Sequence, residues 1–188
     1  MKISQMYGLA LVVALSVNAC NDRSGTGAAL DPELSFEESL QLQLIEAQPG
    51  DTIEIPPGRH EMTRSLSLTV PGVPIRGAGM DNSILSFSRQ LQGAEGLLVT
   101  ANDFVIEDLA IENTIGDALK INESNNVIIR RVRTEWTKGP DPENGAYGIY
   151  PVQSSHILID SSVAIGAADA GIYVGQSSQI IVRKSRAE

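Results

Sequence analysis

The sequence has few residues of the kinds that build metal centres and disulfides. Its 188 residues include one cysteine, two histidines and one tryptophan, and aromatic residues make up only 4%. A single cysteine excludes an internal disulfide. The chain also lacks a glycine-rich phosphate loop, a cysteine–histidine metal pattern and a Gly-x-Ser-x-Gly nucleophile elbow. We therefore predict neither a metal nor a cofactor.

Basic residues are also scarce. There are 14 lysines and arginines against 23 acidic residues, which gives a formal net charge of −9. Removal of residues 1–19 would take away Lys2 and no acid, leaving 13 basic residues and a charge of −10. This balance argues against nucleic acid or anionic lipid as the main partner. A polyanionic ligand would need a local basic patch.

The first 20 residues read as an export signal. Lys2 is followed by an apolar stretch, residues 6–17, that is too short to span a bilayer comfortably. The stretch ends in Val-Asn-Ala-Cys, which resembles a bacterial lipobox with Cys20 as the lipidated residue. We predict a signal peptide over 1–19, a flexible tether over 20–33 and a lipid anchor to the membrane of the cell envelope. The alternative is an ordinary secretory signal in which Cys20 is incidental.

A short amphipathic helix is predicted at the start of the remaining domain. Ser35 and Glu38 have the spacing of a capping box, in which each side chain bonds the other residue's backbone N–H. Apolar residues follow at helical spacing: Phe36, Leu40, Leu44 and Ala47. Because Pro49 and Gly50 end this pattern, we place a helix over 35–47.

From Thr52 onward the chain shows short alternating apolar stretches that repeat. The apolar residues Ile106, Ile129, Ile159 and Val182 are separated by 23, 30 and 23 residues, and Leu119, Ile149 and Ile172 by 30 and 23. An insertion around 138–145 explains the longer step. Fixed spacing with several short strands per repeat predicts a stacked solenoid, whose coils lie about 4.8 Å apart. The helix at 35–47 would then cover the open end of the first coil.

The repeats also stack charged and polar positions. Glu107, Arg130, Asp160 and Arg183 follow the core positions with alternating sign. They could form a charged binding strip, but we favour an outward salt-bridge ladder, in which each exposed pair contributes about 0.2–1 kcal/mol. The two histidines, His60 and His156, are interpreted as polar turn residues.

One outward column carries candidate ligand-binding residues. The register stacks Lys120, Tyr150 and Tyr173, with Gly148 and Gly171 beside them leaving room for a ligand. Tyr147 lies nearby, and the only tryptophan, Trp136, precedes the inserted loop, which we expect to overhang this face. Aromatic faces with polar tips suit sugar rings. The alternative is a purely structural tyrosine stack.

Two stretches carry a family resemblance. Residues 37–188, with Gly50-Asp51-Thr52-Ile53 and Ile75-Arg76-Gly77-Ala78-Gly79, are similar to bacterial right-handed β-helix repeat proteins of the pectate-lyase-like superfamily. Residues 147–176 resemble the β-helix module of the mannuronan (alginate) epimerases. The resemblance implies an all-β right-handed parallel β-helix with a short N-terminal capping α-helix over 34–188.

The epimerase motif Tyr-Gly-Phe-Asp-Pro-His is only partly kept. Tyr147 matches its tyrosine, but Tyr150 stands at the acid and Val152 at the histidine. Epimerisation needs a base, a proton donor and a group that neutralises the sugar carboxylate. Of the matching residues only Tyr147 could exchange a proton. Lys120, Arg131 and Arg133 could bind an anionic sugar.

Three functions remain open at this stage. The first is a cell-envelope β-helix that binds a polysaccharide or oligosaccharide without turning it over, and the ligand class includes acidic polysaccharides. The second is a polysaccharide lyase or epimerase whose remaining residues lie in further C-terminal coils, since we expect the chain to be truncated there. The third is a structural or assembly module that docks another exported protein.

Overall fold

The computed structural model describes residues 34–188 of the chain. The predicted signal peptide, the lipidation site Cys20 and the tether lie outside the described residues. Within the described range there is one helix, α1 (Phe36–Glu46). Fifteen strands follow it: β1 (Ile53–Ile55), β2 (Gly58–Glu61), β3 (Arg64–Leu68), β4 (Ile75–Gly77), β5 (Ser83–Ser86), β6 (Gln92–Val99), β7 (Phe104–Glu112), β8 (Leu119–Asn122), β9 (Asn125–Glu135), β10 (Tyr147–Val152), β11 (Ser155–Asp160), β12 (Val163–Ile165), β13 (Ala170–Ile172), β14 (Ser178–Arg183) and β15 (Arg186–Ala187).

The strands form three parallel columns that wind into a β-helix. The first column stacks β1, β4, the first half of β7, the first half of β9, β11 and β14. The second stacks β2, β5, the second halves of β7 and β9, β12 and β15. The third stacks β3, β6, β8, β10 and β13. Every pairing is parallel, as a solenoid of successive coils requires.

The observed register is the one that the repeat spacing predicts. Ile106 pairs with Ile129, and Ile129 pairs with Ile159. In the third column Leu119 pairs with Ile149. Ile129 and its two partners are completely buried, so their stacking forms the core. Val182 continues the series on β14 but is 46% exposed, because no further coil of the described range covers it.

From Asp103 onward, the corners of the coils place residues other than glycine in the left-handed backbone region. At the corner before the first column, Asp103, Asn126, His156 and Gln179 have φ between 55° and 58°. The Asn126 amide donates a hydrogen bond to Asp103 of the coil below, at 2.7 Å. Short polar side chains tolerate this conformation well. His156, the second residue of β11, thus shares the left-handed corner position of Asn126 and Gln179, as its place in the repeat predicts.

The charge ladder forms two separate pairs, Glu107 with Arg130 and Asp160 with Arg183, and the Glu107 carboxylate is buried. Glu107 accepts hydrogen bonds from Arg76 at 2.8 Å, Arg131 at 3.0 Å and Arg130. Asp160 accepts from Arg183 at 2.7 Å. The side chain of Glu107 is only 6% exposed, because three guanidinium groups surround it. The ladder on this face is thus a paired network.

Helix α1 packs against the first coil. Ser35 and Glu38 make both capping-box hydrogen bonds, and Leu40 and Leu44 are buried. Phe36 stacks on His60 with ring centroids 3.8 Å apart. The interpretation of His60 as a turn residue is therefore wrong, since it lies on strand β2 and is held there by the helix. Helix α1 therefore covers the core of the first coil and also contacts strand β2 through the Phe36 side chain.

Candidate functional site

Three tyrosines cluster on the outer face of the third column. Tyr147 lies with its ring 4.6 Å from that of Tyr150 and 4.7 Å from that of Tyr173, and the last two are 5.4 Å apart. Tyr150 pairs in register with Lys120, whose Nζ is 5.5 Å from the centre of the Tyr150 ring. These four residues are called the tyrosine surface below. Tyr173 is its most accessible member, at 42% exposed.

Lys120 is already neutralised by two carboxylates. Its Nζ lies 3.5 Å from Glu95 on β6 and 3.6 Å from Asp117, just before β8. All three side chains are largely shielded, with exposed fractions of 27% or less. The sequence predicts that Lys120 is a cation available to a ligand carboxylate, and in the structure Glu95 and Asp117 already pair with it.

A third acid, Asp169, also belongs to the tyrosine surface, and both Asp169 and Asp117 interact with Tyr147. The Tyr147 hydroxyl is bonded to Asp169, and this bond raises the pKa of the Tyr147 phenol. Asp117 accepts the backbone N–H of Tyr147, and its pKa is raised mainly by burial, against the opposing effect of Lys120. The surface therefore combines three aromatic rings with one lysine and three carboxyl groups.

The glycines beside the tyrosines do not open the space that the sequence suggested. A Cβ on Gly148 would lie 2.6 Å from the Thr134 hydroxyl and 2.9 Å from the Ala164 Cβ, and one on Gly171 would meet Ala164 at 3.1 Å. Both glycines face the interior, because β10 and β13 begin at a narrow corner opposite the second column. The glycine that makes room for the rings is Gly175, whose added Cβ would meet Tyr150 at 2.9 Å.

Trp136 lies in the core and away from the tyrosine surface. It is 4% exposed, and its indole N–H donates to the Thr114 carbonyl at 2.8 Å. Its edge lines a cleft of about 340 Å³ at the ends of the second-column strands, and the inserted loop covers this cleft rather than the tyrosines. The cleft residues are Arg59, Ser88, Asn113, Thr114, Trp136, Thr137, Lys138, Glu143 and Asn144. Most of their hydrogen-bonding groups have protein partners: Asn144, for example, donates to Gly139 and Gly166.

The other basic candidates face elsewhere and are paired. Arg131 lies 2.7 Å from Asp108, and Arg133 lies 2.9 Å from the buried Glu112, both on the β7–β9 sheet. Residues 34–188 contain no cluster of three or more metal-ligating side chains. In the same range, no helix has both the length and the apolar character of a membrane span.

The chain is similar to proteins of known β-helix architecture. A family model described as a right-handed beta helix region matches residues 74–188. The solved alginate lyase from Paenibacillus sp. str. FPU-7 superposes with a TM-score of 0.51 at 20% identity, over 79% of this chain and 56% of that one. The catalytic domain of a GH87 alpha-1,3-glucanase, solved with nigerose, gives 0.54 at 15% identity, over 94% and 37%. No curated protein matches.

These similarities show the fold of the chain and how much of each solved structure the chain spans. At such identities the two solved structures show a shared architecture, and this chain spans 56% and 37% of their lengths. The family model covers more than half of the chain and names the same architecture. The right-handed β-helix predicted from the repeats and from the sequence resemblance is confirmed.

Proposed function

The chain belongs to the right-handed β-helix family, and from this premise we propose that it binds carbohydrate on the tyrosine surface. The observation that carries the proposal is the set of three tyrosine rings whose centroids lie within 5.4 Å of one another on the outer face of the third column. Tyrosine offers an apolar ring face and a polar hydroxyl, which match the apolar faces and hydroxyl edges of a sugar ring. The stacked strands present these rings along a continuous parallel face, which suits an extended glycan.

A purely structural tyrosine stack is the competing explanation. Tyr147 and Tyr173 are stacked with an interplanar angle of 22°, and such pairs contribute about 0.5–1.5 kcal/mol beyond area burial. Against this explanation, Tyr147 and Tyr150 remain partly exposed although β10, which carries them, has a neighbouring strand on each side. An accessible aromatic ring next to carboxyl groups is a typical arrangement for binding a polar ligand with an apolar face.

The location proposed for this activity is the envelope of the exporting cell. The support is the sequence alone: an apolar leader that ends in Ala19-Cys20. Two or more acyl chains on the cysteine would hold the domain stably at a membrane surface, and residues 20–33 would act as the tether. The tyrosine surface would then face glycans of the same envelope or its surroundings.

Turnover of the bound glycan is a second candidate function. The observation that favours it is the buried carboxyl of Asp117, whose raised pKa suits a proton donor, next to Glu95 across Lys120. The epimerase-like route lacks its acid and histidine, since Tyr150 and Val152 stand in those places. Product analysis on any bound glycan, with Asp117→Asn as the comparison, distinguishes binding from catalysis.

The binding proposal is tested by a glycan array followed by titration. Tyr173→Ala and Tyr150→Ala should each weaken binding of a captured glycan about tenfold or more, whereas Tyr173→Phe should keep most of it because the ring remains. Ile45→Ala is the matched control, since Ile45 is an exposed apolar side chain, at 74%, on α1 beside the first coil, whereas the tyrosines belong to the last two strands of the third column and the residue that follows them. Binding that is unchanged in both alanine variants would reject this surface.

A further inference from the structure

The charges around the tyrosine surface determine which sugars it can accept. Lys120 is the only cation among residues 117–122, 147–153 and 169–176, which form the surface and its borders. Glu95, Asp117 and Asp169 contribute three carboxyl groups. With Lys120 held by two of them, the surface carries an excess of negative charge even if Asp117 is protonated.

Among the strands of the third column, the only cation besides Lys120 is Arg64, at the start of β3. Arg131 and Arg133, the other basic candidates, are committed to Asp108 and Glu112 on the sheet of the first and second columns. Arg64, at the start of the third column, is directed to Glu37 of α1, at 3.9 Å. A sugar carboxylate arriving beside Tyr150 would therefore meet like charge, and no strand of the third column offers it a free guanidinium or ammonium group.

We infer that the tyrosine surface selects neutral glycans and discriminates against uronates. This rests on the proposed carbohydrate binding and adds the class of sugar. Hydroxyl groups of a neutral sugar can donate hydrogen bonds to Glu95, Asp117 and Asp169 while a ring face lies on Tyr173. The carboxylate of a uronate is repelled by the same carboxyl groups, because like charges brought together at an interface disfavour binding.

The test uses pairs of oligosaccharides in which the carboxylate of a uronate is replaced by a neutral group. Suitable pairs are hexagalacturonate with its fully methyl-esterified form, and β-1,4-hexamannuronate with β-1,4-mannohexaose. They are titrated into the protein by calorimetry beside the neutral glycans that the array captures. The neutral member of a pair should bind at least about tenfold more tightly, and added salt should narrow the difference by screening.

Variants that replace the two carboxylates around Lys120 by neutral amides should gain affinity for uronates. Glu95→Gln combined with Asp117→Asn frees Lys120 and should raise uronate affinity about tenfold. Glu46→Gln combined with Glu54→Gln removes the same charge at exposed positions away from the surface and should change nothing. Circular dichroism of each variant verifies folding.

The outcomes separate the two proposals. Equal or tighter binding of a uronate, weakened by Tyr173→Ala, would overturn the selectivity and leave carbohydrate binding standing. Absence of binding to every array glycan and every member of the pairs would overturn carbohydrate binding itself. Neutral preference that disappears in the freed-lysine variant supports both.

Discussion

Gly148 and Gly175 give the sharpest test of which side of β10 and β13 faces the interior. An alanine Cβ at Gly148 would lie 2.5 Å from the Gly171 carbonyl oxygen, 2.6 Å from the Thr134 hydroxyl and 2.9 Å from Ala164. All three are closer than ordinary van der Waals contact, and they belong to backbone or to short, buried side chains. The backbone therefore has to move to accept the methyl group.

The expected cost follows from this geometry. Overpacking of a well-packed interior costs about 1–3 kcal/mol, and the lower entropy of the unfolded alanine chain returns about 0.4–1 kcal/mol. We expect Gly148→Ala to lower the free energy of unfolding by about 1–2 kcal/mol. In a domain of this size that lowers Tm by about 2–8 °C.

Gly175→Ala should behave in the opposite way. Its Cβ would meet Tyr150 at 2.9 Å and Tyr173 at 3.3 Å, and both contacts are with the outer parts of side chains that can swing into solvent. Stability should change little, while glycan affinity should fall because the rings are displaced. Urea unfolding followed by circular dichroism, together with calorimetric titration, measures both quantities. A stable Gly148→Ala protein with impaired binding would refute the assignment of faces.

Three further predictions follow from the packing, the charges and the leader. Ile129→Ala should cost about 2–5 kcal/mol of stability and Arg130→Ala less than about 1 kcal/mol, because Glu107 keeps Arg76 and Arg131; equal costs in urea unfolding would contradict this. The hydrogen bond from Arg130 holds the pKa of Glu107 below its ordinary value of 4.5. The ionised Glu107 side chain therefore stabilises the fold fully above pH 4.5, and this stabilisation is lost as the pH falls through the lower pKa of the folded state. Glu107→Gln should thus flatten the fall in Tm on acidification below about pH 5, and an unchanged slope would argue against it. Cys20→Ser should leave a product that no longer partitions into detergent, and unchanged partitioning would remove the lipid anchor.

The sequence predicted the coils because stacking imposes its spacing directly on the chain. Every coil must place an apolar side chain above the last, so the intervals between Ile106, Ile129 and Ile159 report the register. The same interval of 30 residues separates Asp117 from Tyr147, and this signal could have shown that Asp117 borders the tyrosines. The repeat spacing gave no such signal for Glu95. The pairing of β3 with β6 shifts register between Arg64 and Leu66, and Glu95 lies in the part of β6 opposite this irregularity.

Side-chain orientation at the corners was less predictable. Strict alternation along β10 would turn Gly148 outward, but both Gly148 and Ile149 are buried where the strand enters the corner. Trp136 follows β9 at another corner, and its indole N–H finds the Thr114 carbonyl inside the coil. Whether a residue at a corner faces inward or outward depends on how the three columns meet there. The interval between repeats carries no information about this packing.

The central claim is that glycan binds on the tyrosine surface, and ring-resolved NMR tests it most directly. With tyrosine rings and the tryptophan indole isotopically labelled, a captured neutral glycan should shift the signals of Tyr150 and Tyr173 in proportion to occupancy. The indole N–H of Trp136, the only tryptophan, reports on the cleft and should stay in place. Saturable shifts at Trp136 with unchanged tyrosine rings would contradict the account and move the binding site to the cleft.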